Sequence, residues 1–172
     1  MSSEQIIIQE YDNQYQQQVI DLILNIQQNE FHVPVTLADQ PDLLNIPEVY
    51  QQGGGNFWVA LSGKQVVGTI SLIYFEHNNV ALRKMFVHKD FRGKEKGIGL
   101  LLLKRVIDWC KEKGFTDIYL GTVEVLVAAH RFYLKNEFEV IAKEDLPLNF
   151  PLMPVDTLFF HRKMKKLESA FV

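Results

Sequence analysis

The sequence predicts an α+β fold in which a mixed central sheet is flanked by about four helices. Three β-rich segments, at residues 57–61, 65–75 and 80–87, are separated only by short turns and therefore form an antiparallel meander. A glycine-rich loop at 91–99 then opens a helix, and a short apolar strand follows at 117–120. The order strand, loop, helix, strand implies a crossover between parallel neighbours.

The segments before the meander are less regular. A strand at 6–9 precedes a helix that Asp12 or Asn13 can cap, because both side chains accept hydrogen bonds from the first helical amides. Prolines interrupt the apolar pattern at 31–52, which predicts one or two short helices within a long connection. The run Gly53-Gly54-Gly55-Asn56 leads into a strand, so it indicates a turn and not a phosphate-binding loop.

The helix after the glycine-rich loop is predicted to bury one apolar face and to end at Gly114. Its inward positions are Leu102, Leu103, Val106, Ile107 and Cys110. A further helix around 126–136 and strands at 139–142 and 157–162 bring the total to about seven strands. We expect residues 1–172 to form a single domain, because a chain of this length forms one compact core.

The composition argues against several classes of partner. A net charge of −3 gives no extended positive field for nucleic acid or anionic lipid. No apolar stretch approaches the roughly 20 residues that cross a bilayer, and no signal peptide is visible at the amino terminus. Cys110 is the only cysteine, so an intrachain disulfide is impossible. We therefore expect a cytoplasmic protein without nucleic-acid or membrane partners.

The segment from Met85 to Gly99 carries the most specific chemistry. A loop that ends a strand and opens a helix directs several backbone amides, together with the positive end of the helix dipole, into one concavity. Glycines let an anion approach the main chain, and cations add attraction. This loop holds three of each: Gly93, Gly97, Gly99, Arg92, Lys94 and Lys96. The pattern indicates a pyrophosphate site, although it matches neither the dinucleotide-binding nor the nucleotide-hydrolysing signature.

At this loop the sequence resembles the GNAT superfamily of acetyl-CoA-dependent N-acetyltransferases, whose pyrophosphate loop reads Arg/Gln-x-x-Gly-x-Gly/Ala. The matching run is Lys94-Glu95-Lys96-Gly97-Ile98-Gly99. Lys94 stands where Arg or Gln is usual, and Arg92 lies two residues too early. Either Lys94 takes the place of the arginine or the loop contains two additional residues.

A second match lies downstream, where Ala129 to Phe138 is similar to the family pattern Asn-x-x-Ala-x-x-Phe-Tyr-x-x-x-Gly-Phe. Leu126 replaces the asparagine that helps to hold the pantetheine arm, and Glu137 replaces the glycine. Asn136 is the neighbouring residue best suited to the left-handed conformation that ends a helix. The resemblance covers about residues 57–163.

The resemblance implies a GNAT-type sheet with a splayed strand pair, in which acetyl-CoA lies between the strand ending at Val87 and the strand at 117–120. The amine acceptor then attacks directly in a ternary complex, and Cys110 is a buried hydrophobic residue instead of a nucleophile. No metal site is expected. The cofactor-binding residues that the resemblance implies are Met85, Phe86, Val87, Arg92, Gly93, Lys94, Glu95, Lys96, Gly97, Ile98, Gly99, Ala129 and Phe132.

The resemblance places Tyr133 beside the sulfur of the cofactor, as general acid to the departing thiolate; the alternative is a core aromatic at helical spacing. Many relatives carry a glutamate base on the strand before the loop, but residues 80–84 contain none. Glu124 is our expected base, with Glu76, His77 or a chain of water molecules as alternatives.

The acceptor is expected to be a small-molecule or peptide amine. Segments 31–52 and 149–156 are predicted to form opposite walls of its site, with Asp39 and Asp42 as candidates to receive a cationic amine. A homodimer is compatible with the sequence. A non-catalytic module that binds or senses acyl-CoA is the main alternative, because Leu126 and the missing strand carboxylate are signs of lost catalysis. A domain that binds only proteins is disfavoured by the glycine-rich loop.

Overall fold

The computed structural model describes residues 5–93 and 95–165. Within these ranges seven strands form one sheet in the order β1-β2-β3-β4-β5-β7-β6. The strands are β1 (Ile6–Glu10), β2 (Asn56–Ser62), β3 (Gln65–Glu76), β4 (Asn79–Val87), β5 (Asp117–Thr122), β6 (Glu139–Ile141) and β7 (Leu158–Lys163). The predicted mixed, mostly antiparallel sheet is confirmed.

The pairing of β4 with β5 separates the two halves of the sheet. Strands β1 to β4 form an antiparallel meander, and β5, β7 and β6 form a second antiparallel group. The two groups meet in a parallel pairing that joins only Asn79–Ala81 with Asp117–Tyr119. Among the described residues β4 and β5 do not pair beyond these positions, so the strands separate toward their carboxyl ends as expected.

Among residues 5–93 and 95–165, three α-helices cover the two faces of the sheet: α1 (Gln16–Leu24), α2 (Ile98–Lys113) and α3 (Val127–Lys135). Phe57 and Val59 of β2 pack with α1, whereas Trp58 and Ala60 pack in the core that contains α2. Since successive side chains of a strand point to opposite faces, β2 is buried on both sides, and its residues 57–61 are all apolar. No helix in the described part of the chain is long and apolar enough to cross a membrane.

Several local predictions are confirmed. Asp12 is the cap ahead of α1, because its carboxylate accepts the Gln14 amide at 3.0 Å. The five predicted core positions of α2 are all buried, and Gly114 ends this helix with a φ of 75°. Segment 31–52 contains two short helical turns, Pro41–Leu44 and Pro47–Gln51.

The end of α3 corrects one prediction. Asn136, the expected left-handed residue, has a φ of −112°, and Glu137 itself adopts a φ of 68°. The Asn136 side chain donates to the Phe132 carbonyl at 2.8 Å, and the Phe138 amide donates to the Tyr133 carbonyl at 3.1 Å. With these bonds in place, Glu137 is the residue that takes the left-handed conformation at the end of the helix. Its carboxylate pairs with Arg162 at 2.9 Å. A side chain therefore occupies the position that is glycine in the family pattern.

A β-bulge interrupts β4 beside the cleft. The register between β3 and β4 changes so that Thr69 pairs with Phe86 and Ser71 pairs with Arg83, leaving an additional residue in β4. Lys84 lies in this bulge with a φ of 53°. The Thr69 and Ser71 hydroxyls fix it by donating to the carbonyl oxygens of Lys84 and Arg83, at 2.6 and 2.7 Å. Bulges re-aim side chains, and here two consecutive cationic residues both line the same cavity.

Candidate active site

A cavity of about 120 Å³ occupies the cleft between the separated ends of β4 and β5. Strand β4 contributes residues 82–86, the end of β5 and the following turn contribute 121–123, and α3 contributes Ala129 and Tyr133. Residues from the two predicted wall segments, 31–52 and 149–156, also line it; among them are Phe31, Gln40, Phe150 and Asp156.

The glycine-rich loop lies at the start of α2. Gly97 precedes the helix with a φ of 60°, and Gly93 has a φ of 119°. The Lys96 and Gly97 amides both donate to the Gly93 carbonyl at 3.2 Å, which closes the turn. Leu101 makes the first helical bond to Gly97 at 2.9 Å, so the preceding amides of α2 have no helical partner. These amides are suited to binding an anion.

The charged side chains of the loop have different environments. Arg92 forms an ion pair with Glu30 and donates from Nε to the Val87 carbonyl at 2.8 Å. Bonding to Arg92 holds the pKa of Glu30 below its ordinary value. Lys96 donates to the Asp90 carbonyl and lies over the Phe91 ring, while Glu95 is exposed. Lys94 lies outside the described residues, so the choice between Lys94 and Arg92 stays a prediction.

Three of the predicted cofactor residues, Met85 of β4, Gly99 of α2 and Phe132 of α3, lie close together. A Cβ on Gly99 would lie 3.5 Å from the Phe132 ring and 3.7 Å from the Met85 methyl carbon. Ile98 beside it is buried and anchors the first turn of α2 in the core. Phe86 and Ala129 line the cavity, and Val87 packs against the core below α2. The loop therefore lies against the cleft.

Tyr133 is both a core residue and a wall of the cavity. Its ring packs 5.5 Å from the rings of Phe138 and Phe160, and its hydroxyl lies 3.8 Å from the Met85 sulfur, a weak acceptor. Burial, and then the charge of Asp156, raise the pKa of the Tyr133 hydroxyl well above its ordinary value. The phenol is therefore protonated at neutral pH.

The three side chains considered as general base lie away from this cavity. Glu124 is exposed in the turn after β5 and is absent from the described cavity wall. Glu76 and His77 lie in the turn between β3 and β4, where their side chains are 51% and 87% exposed. Asp39 and Asp42 are also outside the wall: Asp39 bonds to Thr36, and Asp42 accepts the Tyr50 hydroxyl at 2.5 Å.

Asp156 is the carboxylate among the described residues that line the cavity; the sequence analysis placed it at the end of the wall 149–156 but did not consider it as a base. It ends the proline-rich loop before β7, and its Oδ2 lies so close to β5 that a Cβ on Gly121 would come within 2.5 Å of it. Burial raises the pKa of Asp156 to about 6, with Arg83 and then Lys84 opposing the shift. The available signal was that Asp156 is the only acidic residue of the predicted wall 149–156.

Two cations of the β4 bulge complete the charge distribution. Lys84 is buried, hydrogen-bonded to the Gln40 side chain and 3.6 Å from Asp42, so its charge is compensated. Burial lowers the pKa of Lys84, and the nearby Asp42 opposes that shift. Arg83 is half-buried and donates to the Met153 sulfur. No carboxylate oxygen of the described residues lies within 4 Å of its guanidinium.

Cys110 and the histidines His130 and His161 have structural surroundings. Burial raises the pKa of the Cys110 thiol to about 12, which makes it a poor nucleophile. His130 bonds to the Val123 carbonyl at 2.9 Å, and His161 bonds to Asp117 at 2.6 Å. In residues 5–93 and 95–165 no group of three or more His, Cys, Asp or Glu side chains is arranged to hold a metal ion.

A family model described as the acetyltransferase (GNAT) family matches residues 20–138, a range that includes the glycine-rich loop, β4, β5 and α3. The chain belongs to the GNAT acetyltransferase family. A crystal structure of a GNAT-family acetyltransferase from Staphylococcus aureus Mu50 is 44% identical, covers 94% of this chain and 100% of its own, and superposes with a TM-score of 0.91.

Two further similar proteins extend this comparison. The PaiA N-acetyltransferase of Thermoplasma acidophilum, solved in complex with coenzyme A, has a TM-score of 0.70 over 92% of this chain and 99% of its own; at 18% identity the likeness shows the fold alone. The N-acetylaspartate synthetase of Danio rerio is 37% identical over 123 residues, which are 69% of this chain. The match spans 43% of the length of that relative.

Proposed function

We propose that this GNAT-family protein transfers the acetyl group of acetyl-CoA to the amine of a small-molecule acceptor bound in the cavity between β4 and β5. The observation that carries the proposal is the convergence of a buried phenol, Tyr133, and a carboxylate of raised pKa, Asp156, on this cavity beside the glycine-rich loop. The proposed reaction needs both a proton donor and a proton acceptor.

The residues around the cleft fit acetyl-CoA. The unpartnered amides of the first turn of α2 and the left-handed Gly97 are suited to the pyrophosphate. The edge of β4 that faces away from β3 is unpaired beyond Ala81 in the described structure, so it can pair with an extended chain such as pantetheine. When bound, acetyl-CoA supplies an activated thioester carbonyl, and the backbone amides of Met85 to Val87 are candidates to stabilise charge on its oxygen.

Tyr133 is proposed as the general acid. The pKa of its hydroxyl is raised by burial, so the group holds its proton until a stronger base appears beside it. A thiolate that departs into the same buried cavity loses the solvation that stabilises it in water, and it then becomes such a base. The weak contact with the Met85 sulfur leaves the hydroxyl proton available.

Asp156 is proposed as the general base in preference to Glu124. An acceptor enters as an ammonium ion and must lose a proton before its nitrogen can attack. Asp156 borders the cavity and has a pKa near 6, which is suited to accepting a proton at neutral pH. Glu124 is exposed and separated from the cavity wall, so it would act only through intervening water.

The names of two similar proteins support a small acceptor. One is N-acetylaspartate synthetase, and the other, similar in fold, is an N-acetylglutamate synthase solved with coenzyme A and N-acetyl-glutamate. A non-catalytic acyl-CoA sensor remains the alternative, but the pair of Tyr133 and Asp156 favours an enzyme. A peptide acceptor, cytoplasmic location and a homodimer stay predictions from the sequence.

Release of free CoA thiol from acetyl-CoA tests the proposal directly. The purified protein should release thiol only when an amine is added, and mass spectrometry should find the acetylated amine. Binding of CoA, measured by titration, separates catalysis from sensing. A protein that binds CoA but releases no thiol with any of a broad panel of amines would be a binding module.

A further inference from the structure

Arg83 is a cation of the cavity that the proposed acetyl transfer does not use and, unlike Lys84, it has no carboxylate within 4 Å among the described residues. It follows Leu82 on the open side of β4, where the bulge lets it and Lys84 line the same cavity. The Ser71 hydroxyl holds its carbonyl oxygen, so the backbone at this position is fixed by β3. The guanidinium therefore projects from a rigid strand.

In the described part of the chain Arg83 has no carboxylate close enough for an ion pair, and the charge of Asp156 acts on it only from beyond 4 Å. A guanidinium stays protonated in proteins and carries five N–H donors in a planar fork. Its acceptor among residues 5–93 and 95–165 is the Met153 thioether, which accepts hydrogen bonds only weakly. Lys84 beside it is paired with Asp42, so the acidic groups of segment 31–52 do not compensate Arg83. Charges removed from water are ordinarily paired, the Arg83 side chain is half-buried, and a carboxylate is an anion whose two oxygens match its fork.

We propose that Arg83 binds a carboxylate of the acceptor, so that the substrate is an amino acid or a similar amine that also carries a carboxylate. This inference rests on the proposed function and names the substrate class of the same cavity. Arg83 and Asp156 both border the cavity without forming an ion pair within 4 Å. Arg83 provides a positive group for the carboxylate of a zwitterionic amino acid, and Asp156 provides a negative group for its ammonium.

The size and charges of the cavity agree with this substrate class. A volume of about 120 Å³ is well below the roughly 300–1,000 Å³ of pockets for drug-sized ligands. The carboxylate of the acceptor would pair with Arg83, and its ammonium group would face Asp156, which removes the proton before attack. A purely cationic polyamine would instead place a second positive charge near Arg83 and Lys84, which is unfavourable.

The test compares L-amino acids with their fully amidated counterparts, which keep the amine and lose every carboxylate. Wild-type protein should acetylate the acids with a kcat/KM about 10- to 100-fold above that of the amides, since hydrogen bonds to charged groups contribute energies of that order. Arg83 also holds down the pKa of Asp156, so the comparison is made well above that pKa; there Arg83→Gln should remove this preference by lowering kcat/KM for the acids and not for the amides. Arg83→Lys, which keeps the charge but loses the fork, should retain part of it.

Arg105→Gln is the matched control, because Arg105 is an exposed arginine on α2 outside the cavity wall; it should behave as wild type. Melting curves and CoA titration establish that each variant is folded and loads the cofactor. Equal rates with acids and amides, unchanged by Arg83→Gln, would overturn the carboxylate site and leave the proposed acetyl transfer standing. Absence of turnover with every amine, despite CoA binding, would overturn both.

Discussion

The two sides of the cleft are built in opposite ways. The main part of the proposed cofactor side, residues 85–99, is one continuous segment that offers mainly backbone groups: the edge of β4, the turn closed on Gly93 and the first amides of α2. The proposed acceptor side is made of side chains from distant segments, because Arg83 and Lys84 of the bulge line the same cavity as Asp156 of the loop before β7. The first should be sensitive to backbone strain and the second to the loss of single charges.

Asp156→Asn is expected to have the largest effect on the acceptor side. It keeps the size of the side chain but removes the base, so kcat/KM for the amine should fall about 10²- to 10⁴-fold, while CoA affinity is retained. Steady-state kinetics measure the first quantity and titration the second. Glu124→Gln is the matched control and should change the rate less than about twofold. The reverse ranking would return the base role to Glu124.

Tyr133→Phe removes only a hydroxyl. We expect kcat to fall about 10- to 10³-fold, with kcat/KM falling in parallel, because the phenol acts mainly as charge develops on the sulfur. The melting temperature should be nearly unchanged, since among the described residues the hydroxyl bonds only to the Met85 sulfur. A folded variant with the wild-type kcat at saturating amine would leave Tyr133 as a packing residue.

Gly121→Ala tests the position of Asp156 without changing its chemistry. The new methyl group would lie 2.5 Å from the present place of Oδ2, so the carboxylate must move. A displacement of about 1 Å in a catalytic group can cost up to about 10²-fold, and we expect kcat/KM to fall about 10- to 100-fold. The KM for acetyl-CoA should stay constant. If kcat/KM for the amine is also unchanged, the reaction does not depend on the position of the Asp156 carboxylate.

Gly97→Val tests the cofactor side by straining its backbone. Valine is unfavourable at a φ of 60°, and its branched Cβ obstructs the anion site, so the dissociation constant of CoA should rise about tenfold. Gly114→Val imposes similar strain at a φ of 75° at the other end of α2, with open space around the new Cβ. Only Gly97→Val should change the dissociation constant of CoA. Equal affinities in both variants would argue against a pyrophosphate site here.

This difference between the two sides of the cleft explains which parts of the fold and the site could be predicted from the sequence. The sheet, the amphipathic α2 and the glycine-rich loop depend on periodicity and on local backbone chemistry, which a contiguous segment records. The walls 31–52 and 149–156 were also recognised, because prolines mark shaped connections.

The charges of the acceptor side were not predictable in the same way. The direction of the Arg83 and Lys84 side chains depends on a bulge in β4. The position of this bulge is set by pairing with Thr69 and Ser71 of β3. The position of Asp156 depends on the bare backbone of Gly121, 35 residues earlier in the chain. The left-handed Glu137 was likewise missed, because its conformation follows from the hydrogen bonds of Asn136 and Phe138.

The dependence of amine kcat/KM on pH tests the central claim, that Asp156 accepts the proton of the acceptor. The base works only when deprotonated, and burial has raised its pKa to about 6. On the acidic side of the profile, kcat/KM for the amine should therefore fall about tenfold for each pH unit below 6. Above pH 6 this limb should level off. This acidic limb should be absent in Asp156→Asn and retained in Glu124→Gln. A wild-type profile that stays level down to pH 5, or a limb that survives in Asp156→Asn, would contradict it.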